Sequence, residues 1–114
     1  MIKQQHRFHR RNDISYVYKK GQTVRGQHLS LRFVALSADK PYRLAIVVSK
    51  KVDKLAVNRN RIRRRIYEIV RLAEPYMKIP ADMILSIHSN AVKDVPTEDM
   101  NKIIKDLLQK AGAL

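Results

Sequence analysis

Apolar residues recur along this chain with two different periods. Residues 28–36, HLSLRFVAL, alternate, with Leu29, Leu31, Phe33 and Ala35 on one side and Ser30 and Arg32 on the other. A period of two predicts a strand with one buried face. Residues 43–49, RLAIVVS, are β-branched and nearly all apolar, as suits an interior strand. Residues 83–88, MILSIH, read as a further strand. The stretch Ser37-Ala38-Asp39-Lys40-Pro41 predicts a turn between the first two.

Elsewhere the period lengthens to that of a helix. Asn12-Asp13 can cap a short helix with Ile14, Val17 and Tyr18 on one side, closed by Lys19-Lys20-Gly21. A long helix is predicted from about Leu55 to Ala73, with Pro75 just beyond it. Thr97, as N-cap, and the acids Glu98 and Asp99 open a last helix. Its stripe is Met100, Ile103, Ile104, Leu107, Leu108 and Ala111, and Gly112 ends it. The order is α-β-β-α-β-α, without repeats or low-complexity linkers. It predicts a single small α+β domain over residues 1–114: a central, mostly antiparallel sheet with helices packed on it.

Charge changes this picture. The 114 residues hold 24 Lys and Arg against 10 Asp and Glu, a net +14 with pI near 10.5. Hydrophobic residues make up 45%, too many for a disordered basic tail. The absence of cysteine excludes disulfides, Cys-ligated zinc and a thiol nucleophile. No apolar run approaches the ~20 residues of a membrane span. The first residues, Met1 to Arg7, lead into more charge and not into the apolar core of a signal peptide. Residues 1–10 are expected to form a flexible basic arm, and the domain to be cytoplasmic with a polyanionic partner, nucleic acid first.

The cations are segregated. Residues 1–36 carry eight against the single acid Asp13, and residues 50–65 carry eight against Asp53, whereas 97–114 is balanced. On a helical wheel Leu55, Ile62, Ile66, Ile69, Val70 and Ala73 fill an arc about 100° wide. Arg61, Arg64, Arg65 and Arg71 project to the far side, toward solvent. Arg59 falls in phase with the apolar stripe, so its helix end should overhang the sheet or its guanidinium should snorkel to the edge. A basic run on a helix is commonly a solvated face laced with i,i+4 acids. Here only Glu68 can pair in that way. Five arginines within residues 59–65 repel one another, and a phosphate backbone would relieve that repulsion. Asn60 adds a neutral donor and acceptor among them, suited to a phosphate, a 2′-hydroxyl or a base edge.

Ser49-Lys50-Lys51-Val52, a short spacer and Arg59-Asn60-Arg61-Ile62-Arg63-Arg64 together resemble the RNR signature of bacterial ribonuclease P protein components. Arg7-Phe8 followed by Asp13-Ile14 and Val17-Tyr18-Lys19-Lys20-Gly21 is similar to that family's opening helix, and Ala81-Asp82-Met83-Ile84 to the start of its last strand. The resemblance covers nearly the whole chain. It implies a left-handed β-α-β crossover carrying the RNR helix, against the usual hand. It further implies a 1:1 partnership with a large catalytic RNA and binding of the 5′ leader of precursor tRNA. The RNA would cut the phosphodiester with divalent metal, expected to be magnesium, while the protein assists.

Carried over by residue, the resemblance puts Lys50, Lys51, Arg59, Asn60, Arg61, Arg63, Arg64 and Arg65 on the catalytic-RNA surface. It puts Phe8, Ile14, Tyr18, Ser30, Arg32 and His88 in the leader cleft. Ile14 stands where many relatives carry Phe, and His88 where Arg is common. Fewer aromatics imply less base stacking, at roughly 1–3 kcal/mol per stack.

The remaining residues offer little chemistry. His6, His9, His28 and His88 do not form a spaced metal motif, and His88 ends a strand where it could stack on a base or touch phosphate. Phe33 belongs to a core face, whereas Tyr18 fits core and stacking equally and Tyr67 could support an arginine. The acids are scattered singly apart from Glu98-Asp99, so no carboxylate cluster exists to make the protein itself a metal-dependent nuclease. No metal or cofactor is expected on the chain. Two other readings fit the composition: a ribosomal-type rRNA-binding protein without a processing role, and a duplex-DNA binder with a recognition helix.

Overall fold

The computed structural model describes residues 11–37 and 39–114. The elements are α1 (Arg11–Lys20), β1 (Gln22–Arg25), β2 (Leu29–Ala35), β3 (Arg43–Val47), α2 (Ala56–Ala73), β4 (Ala81–Ile87) and α3 (Thr97–Lys110), with short 3-10 turns at Glu74–Tyr76 and Asn90–Lys93. The strands form one sheet in the order β1-β2-β4-β3. β1–β2 and β2–β4 are antiparallel, and β3–β4 is parallel with α2 as its crossover. The small α+β fold with a mostly antiparallel sheet is therefore as expected, with one more strand.

The alternation in β2 holds through Phe33, whereas Ala35, read with the buried face, is exposed at the strand's end. Leu29, Leu31 and Phe33 are buried on one face, where Leu44, Ile46, Met83, Leu85 and Ile87 join them. α2 covers this face with Ile62, Ile66, Ile69, Val70 and Ala73, and α3 with Met100, Ile104, Leu107 and Leu108. Each fully buried Leu or Ile contributes roughly 1.5–3 kcal/mol, so this face holds most of the fold's stability. Among the described residues, the opposite face carries a small cluster of Val17, Ala45 and Ile84, against which Ile14 and Val34 pack. Among the described residues, α1 is thus the helix on one side of the sheet, with α2 and α3 on the other.

Several boundaries differ from expectation. β1 was not foreseen because only Val24 of its four residues is even half-buried, too little to show an alternation. β4 begins at Ala81, two residues early, because the charge of Asp82 hid the strand's start. α1 begins at Arg11, which puts Asn12 and Asp13 inside its first turn and not in front of it. Pro96, not Thr97, stands at the start of α3, and its carbonyl accepts the Met100 N–H at 3.0 Å. Leu55, read as part of the apolar stripe, precedes α2 in an extended conformation and is 59% exposed; wheel geometry does not apply outside the helix. Phe8 and the arm 1–10 lie outside the described residues.

Gly21 joins α1 to β1 at a tight point. A Cβ there would sit 2.5 Å from the Val17 carbonyl oxygen and 2.9 Å from that of Phe33. Only glycine lets the end of α1 come so near the sheet.

Candidate nucleic-acid interface

The cations at the start of α2 divide into two groups. Lys50, Lys51, Asn60, Arg61 and Arg64 are exposed. With Val57, the residues Asn60, Arg61 and Arg64 line one outward face of the first turns, at i, i+3, i+4 and i+7 spacing. Arg63 is half-buried and donates from Nη1 to Asn60 Oδ1 at 2.8 Å, which orients the asparagine. Lys54, which the signature did not single out, is exposed beside them. Farther along, the Glu68 carboxylate pairs with Arg71 Nη2 and Nε, the latter at 3.1 Å. The hydrogen bonds and charge of Arg71 hold Glu68 below the ordinary carboxylate range. The bare positive face therefore ends after the second turn.

The other group is turned inward onto backbone. Arg59, in phase with the apolar stripe, is half-buried in the first turn of α2. Its Nη1 donates to the carbonyls of Asp53 at 3.0 Å and Lys54 at 2.8 Å, so it folds back over the loop that leads into α2. Arg65 was expected to face solvent. It is half-buried instead, and its guanidinium donates to the carbonyl of Val92 at 2.7 Å and to that of Val95. Its position on the flank of the helix, not opposite the core, brings it within reach of the segment after β4.

Asp53 organises the same loop. Its carboxylate accepts the Leu55 N–H at 3.0 Å and Asn58 Nδ2 at 3.1 Å, and Lys93 Nζ lies 3.8 Å away. The backbone hydrogen bond from Leu55 is the main cause of a pKa lowered from its ordinary 3.8. Sequence reading missed this role because a lone aspartate among lysines carries no signal.

On the α1 face, the register lays Arg25, Ser30, Ser86 and Val47 side by side across the four strands. Arg25 and Val47 are exposed and the two serines half-buried, so the row is open to solvent. His88 follows it, exposed, with Nε2 2.9 Å from Ser30 Oγ. The His88 N–H is fixed by the carbonyl of His28, a residue with φ of 71° in the β1–β2 turn. Tyr18 is 46% exposed, which leaves its ring open for stacking, while Ile14 packs into the small cluster beneath α1.

Arg32, assigned to the same cleft, has another use. Its Nε donates to the carbonyls of Val17 at 3.2 Å and Tyr18 at 2.9 Å, and Nη2 also reaches Tyr18. Nη1 donates to Thr23 Oγ1 at 2.6 Å. It caps the negative end of α1 and ties that helix to β1 and β2.

The two surfaces occupy opposite faces but meet at one end of the sheet. Val47 and Ser86 are partners in the parallel pair, so Lys50 and His88 leave the sheet at the same end. Among the described residues, no three His, Cys, Asp or Glu side chains converge on a point that could hold a metal. The buried Asp82 is taken by Arg43, and Asp53 by its loop. No helix among the described residues is long and apolar enough to cross a membrane.

The family model for ribonuclease P matches residues 2–112. The ribonuclease P protein component of a Pseudanabaena species is 37% identical over 114 residues, covering 100% of this chain and 97% of the relative. That of Xylella fastidiosa is 35% identical over 91% of this chain and 74% of its own length. Among solved structures, the Staphylococcus aureus RNase P protein superposes with a TM-score of 0.80 at 27% identity, covering 95% of this chain and 96% of that one. The Thermotoga maritima RNase P protein shares the fold, with a TM-score of 0.79 at 22% identity over 91% and 96% of the two chains. A basic helix entrance and an open polar row sit on a scaffold matched from end to end, and the chain belongs to the ribonuclease P protein family.

Proposed function

We propose that the outward face of α2 grips the catalytic RNA and that the row Arg25–Ser30–Ser86 with His88 and Tyr18 holds the single-stranded 5′ leader of precursor tRNA. Family membership makes the chain the accessory protein component of the endoribonuclease, working with the ribonuclease P RNA on precursor tRNA. The observation that carries the division of labour is the contrast between the two faces. Lys50, Lys51, Arg61 and Arg64 present unneutralised charge, suited to a folded phosphate backbone. The α1 face sets the exposed ring of Tyr18 and the polar Ser30, Ser86 and His88 among the cations Lys19, Lys20 and Arg25, suited to unstacked bases and the phosphates between them.

Asn60, oriented by Arg63, keeps its amide donors for a 2′-hydroxyl or phosphate. Phe8 is assigned to the leader side by resemblance alone. Magnesium belongs to the RNA–protein holoenzyme and is held by the RNA. The site of action is the cytoplasm, one protein per RNA.

The energy of docking on the RNA comes mainly from counterion release. Six to eight neutralised phosphates give a slope of log K against log salt of roughly −4 to −7. The deciding experiment uses purified protein, ribonuclease P RNA and precursor tRNA. The wild-type chain should lower the magnesium needed for 5′ trimming. A variant with Lys50, Lys51, Arg61 and Arg64 all neutralised should not. Undisturbed trimming by that variant at physiological magnesium would refute the reading.

A further inference from the structure

Arg65 stands within the arginine run, yet its guanidinium points away from the face that Arg61 and Arg64 share. Its bonds reach a distant part of the chain, 27 and 30 residues on, at the carbonyls of Val92 and Val95. Those carbonyls flank the end of the 3-10 turn Asn90–Lys93, whose Val92 is fully buried. The turn begins two residues after His88, and Ser89 Oγ closes it by accepting the Ala91 N–H at 3.2 Å. His88 in turn is joined to Ser30 on the opposite face of the sheet. Arg65 thus ties α2 to the 89–95 segment, and that segment is the direct continuation of the chain from His88. Lys93 and Asp53 close a second, longer link at 3.8 Å between the same segment and the loop before α2.

We propose that Arg65 is a positioning residue, not a phosphate contact: it sets where the His88 end of the leader cleft stands relative to the RNA-gripping face of α2. The inference rests on the assignment of those two surfaces given above. A planar fork can hold two carbonyls at once in a fixed plane, which a lysine's single ammonium on a flexible stem does not reproduce. Spending an arginine on neutral carbonyls also disperses its charge inside the protein and leaves it poorly placed to release counterions. The seat of α2 on the core is carried by apolar packing, which resists separation but not small rotations. The two guanidinium bonds supply the directional restraint.

The test compares Arg65→Ala, Arg65→Lys and Arg61→Ala in the full-length chain. Three quantities are measured: melting temperature, the salt dependence of binding to ribonuclease P RNA, and holoenzyme affinity for precursor tRNA with a long or a one-nucleotide leader. Arg61→Ala should reduce the salt slope by about one unit. Both Arg65 variants should keep the wild-type slope and lose the preference for the long leader by about fivefold or more, the low end of coupling between two sites. Lysine should not rescue that preference.

A slope reduced by about one in Arg65→Ala, or full rescue of the leader preference by lysine, would show that charge at this position is what matters and would overturn the proposal. So would an unchanged leader preference in both variants. If Arg65→Ala does not fold, the lysine variant carries the same three readouts. An unchanged slope in Arg61→Ala would instead count against the assignment of the α2 face itself.

Discussion

Arg43 and Asp82 are register partners in the parallel pair of β3 and β4, and they form a two-pronged ion pair, Nε to Oδ1 at 2.7 Å and Nη2 to Oδ2 at 2.6 Å. The two ends differ in solvation: the Asp82 side chain is 7% exposed and that of Arg43 32%. Removing the arginine strands a buried carboxylate, whereas removing the aspartate leaves a part-exposed cation that can turn to water. Arg43→Ala should therefore cost about 3 kcal/mol, at the lower end for a broken buried pair, and Asp82→Ala clearly less. Urea denaturation of both variants measures this. Equal losses, or the reverse order, would contradict the solvation argument.

Asp53 connects stability to acid. Its folded-state pKa lies below its ordinary 3.8, so its contribution is present at neutral pH and is lost as pH falls below about 4 through the lowered value. Asp53→Asn should flatten that part of the stability–pH curve and leave the region above pH 6 with little slope, as before. Chemical denaturation between pH 2.5 and 7, read with the sequence-specific amide signals of residues 53–59, is the measurement. An unchanged acid limb in the variant would exclude Asp53 as its source.

Gly21→Ala should loosen α1 without unfolding the main core. The added methyl meets two backbone oxygens, which cannot move aside as a side chain would, and overpacking of this kind costs about 1–3 kcal/mol. Because α1 rests on a small cluster and on Arg32, the damage should be local. Amide exchange should accelerate in residues 14–20 and stay slow in β2 and β4. A uniform acceleration would mean that α1 is not a separate unit.

Tyr18→Ala should weaken binding of a long leader by about 1–3 kcal/mol if its exposed ring carries one base, with affinity for the catalytic RNA unaltered. His88→Ala removes both its own ring and the restraint on Ser30, so its effect should follow leader length in the same way. Titrations of holoenzyme with precursor tRNAs of graded leader length give the answer. Loss of affinity that is independent of the leader would place these residues elsewhere in the complex.

Much of this molecule can be read from its chain alone. Alternation in 28–36 and the stripe of α3 depend only on which side of an element faces water, and each lies within a few residues of sequence. The same holds for the segregated charge and the RNR spacing, which mark the exposed basic face at the start of α2. The fate of individual arginines cannot be read in this way. Arg32, Arg59, Arg61 and Arg65 are one residue type in one strongly basic chain, yet one caps α1, one folds over its own loop, one faces solvent and one clamps a segment some thirty residues away. The parallel partnership of β3 with β4, the short strand β1 and the buried charge of Asp82 were decided likewise by contacts across the fold. Periodicity reports the face of an element that seeks water; it holds no record of which carbonyl or carboxylate the folded chain brings within 3 Å of a donor, and that proximity is what the tertiary structure alone supplies.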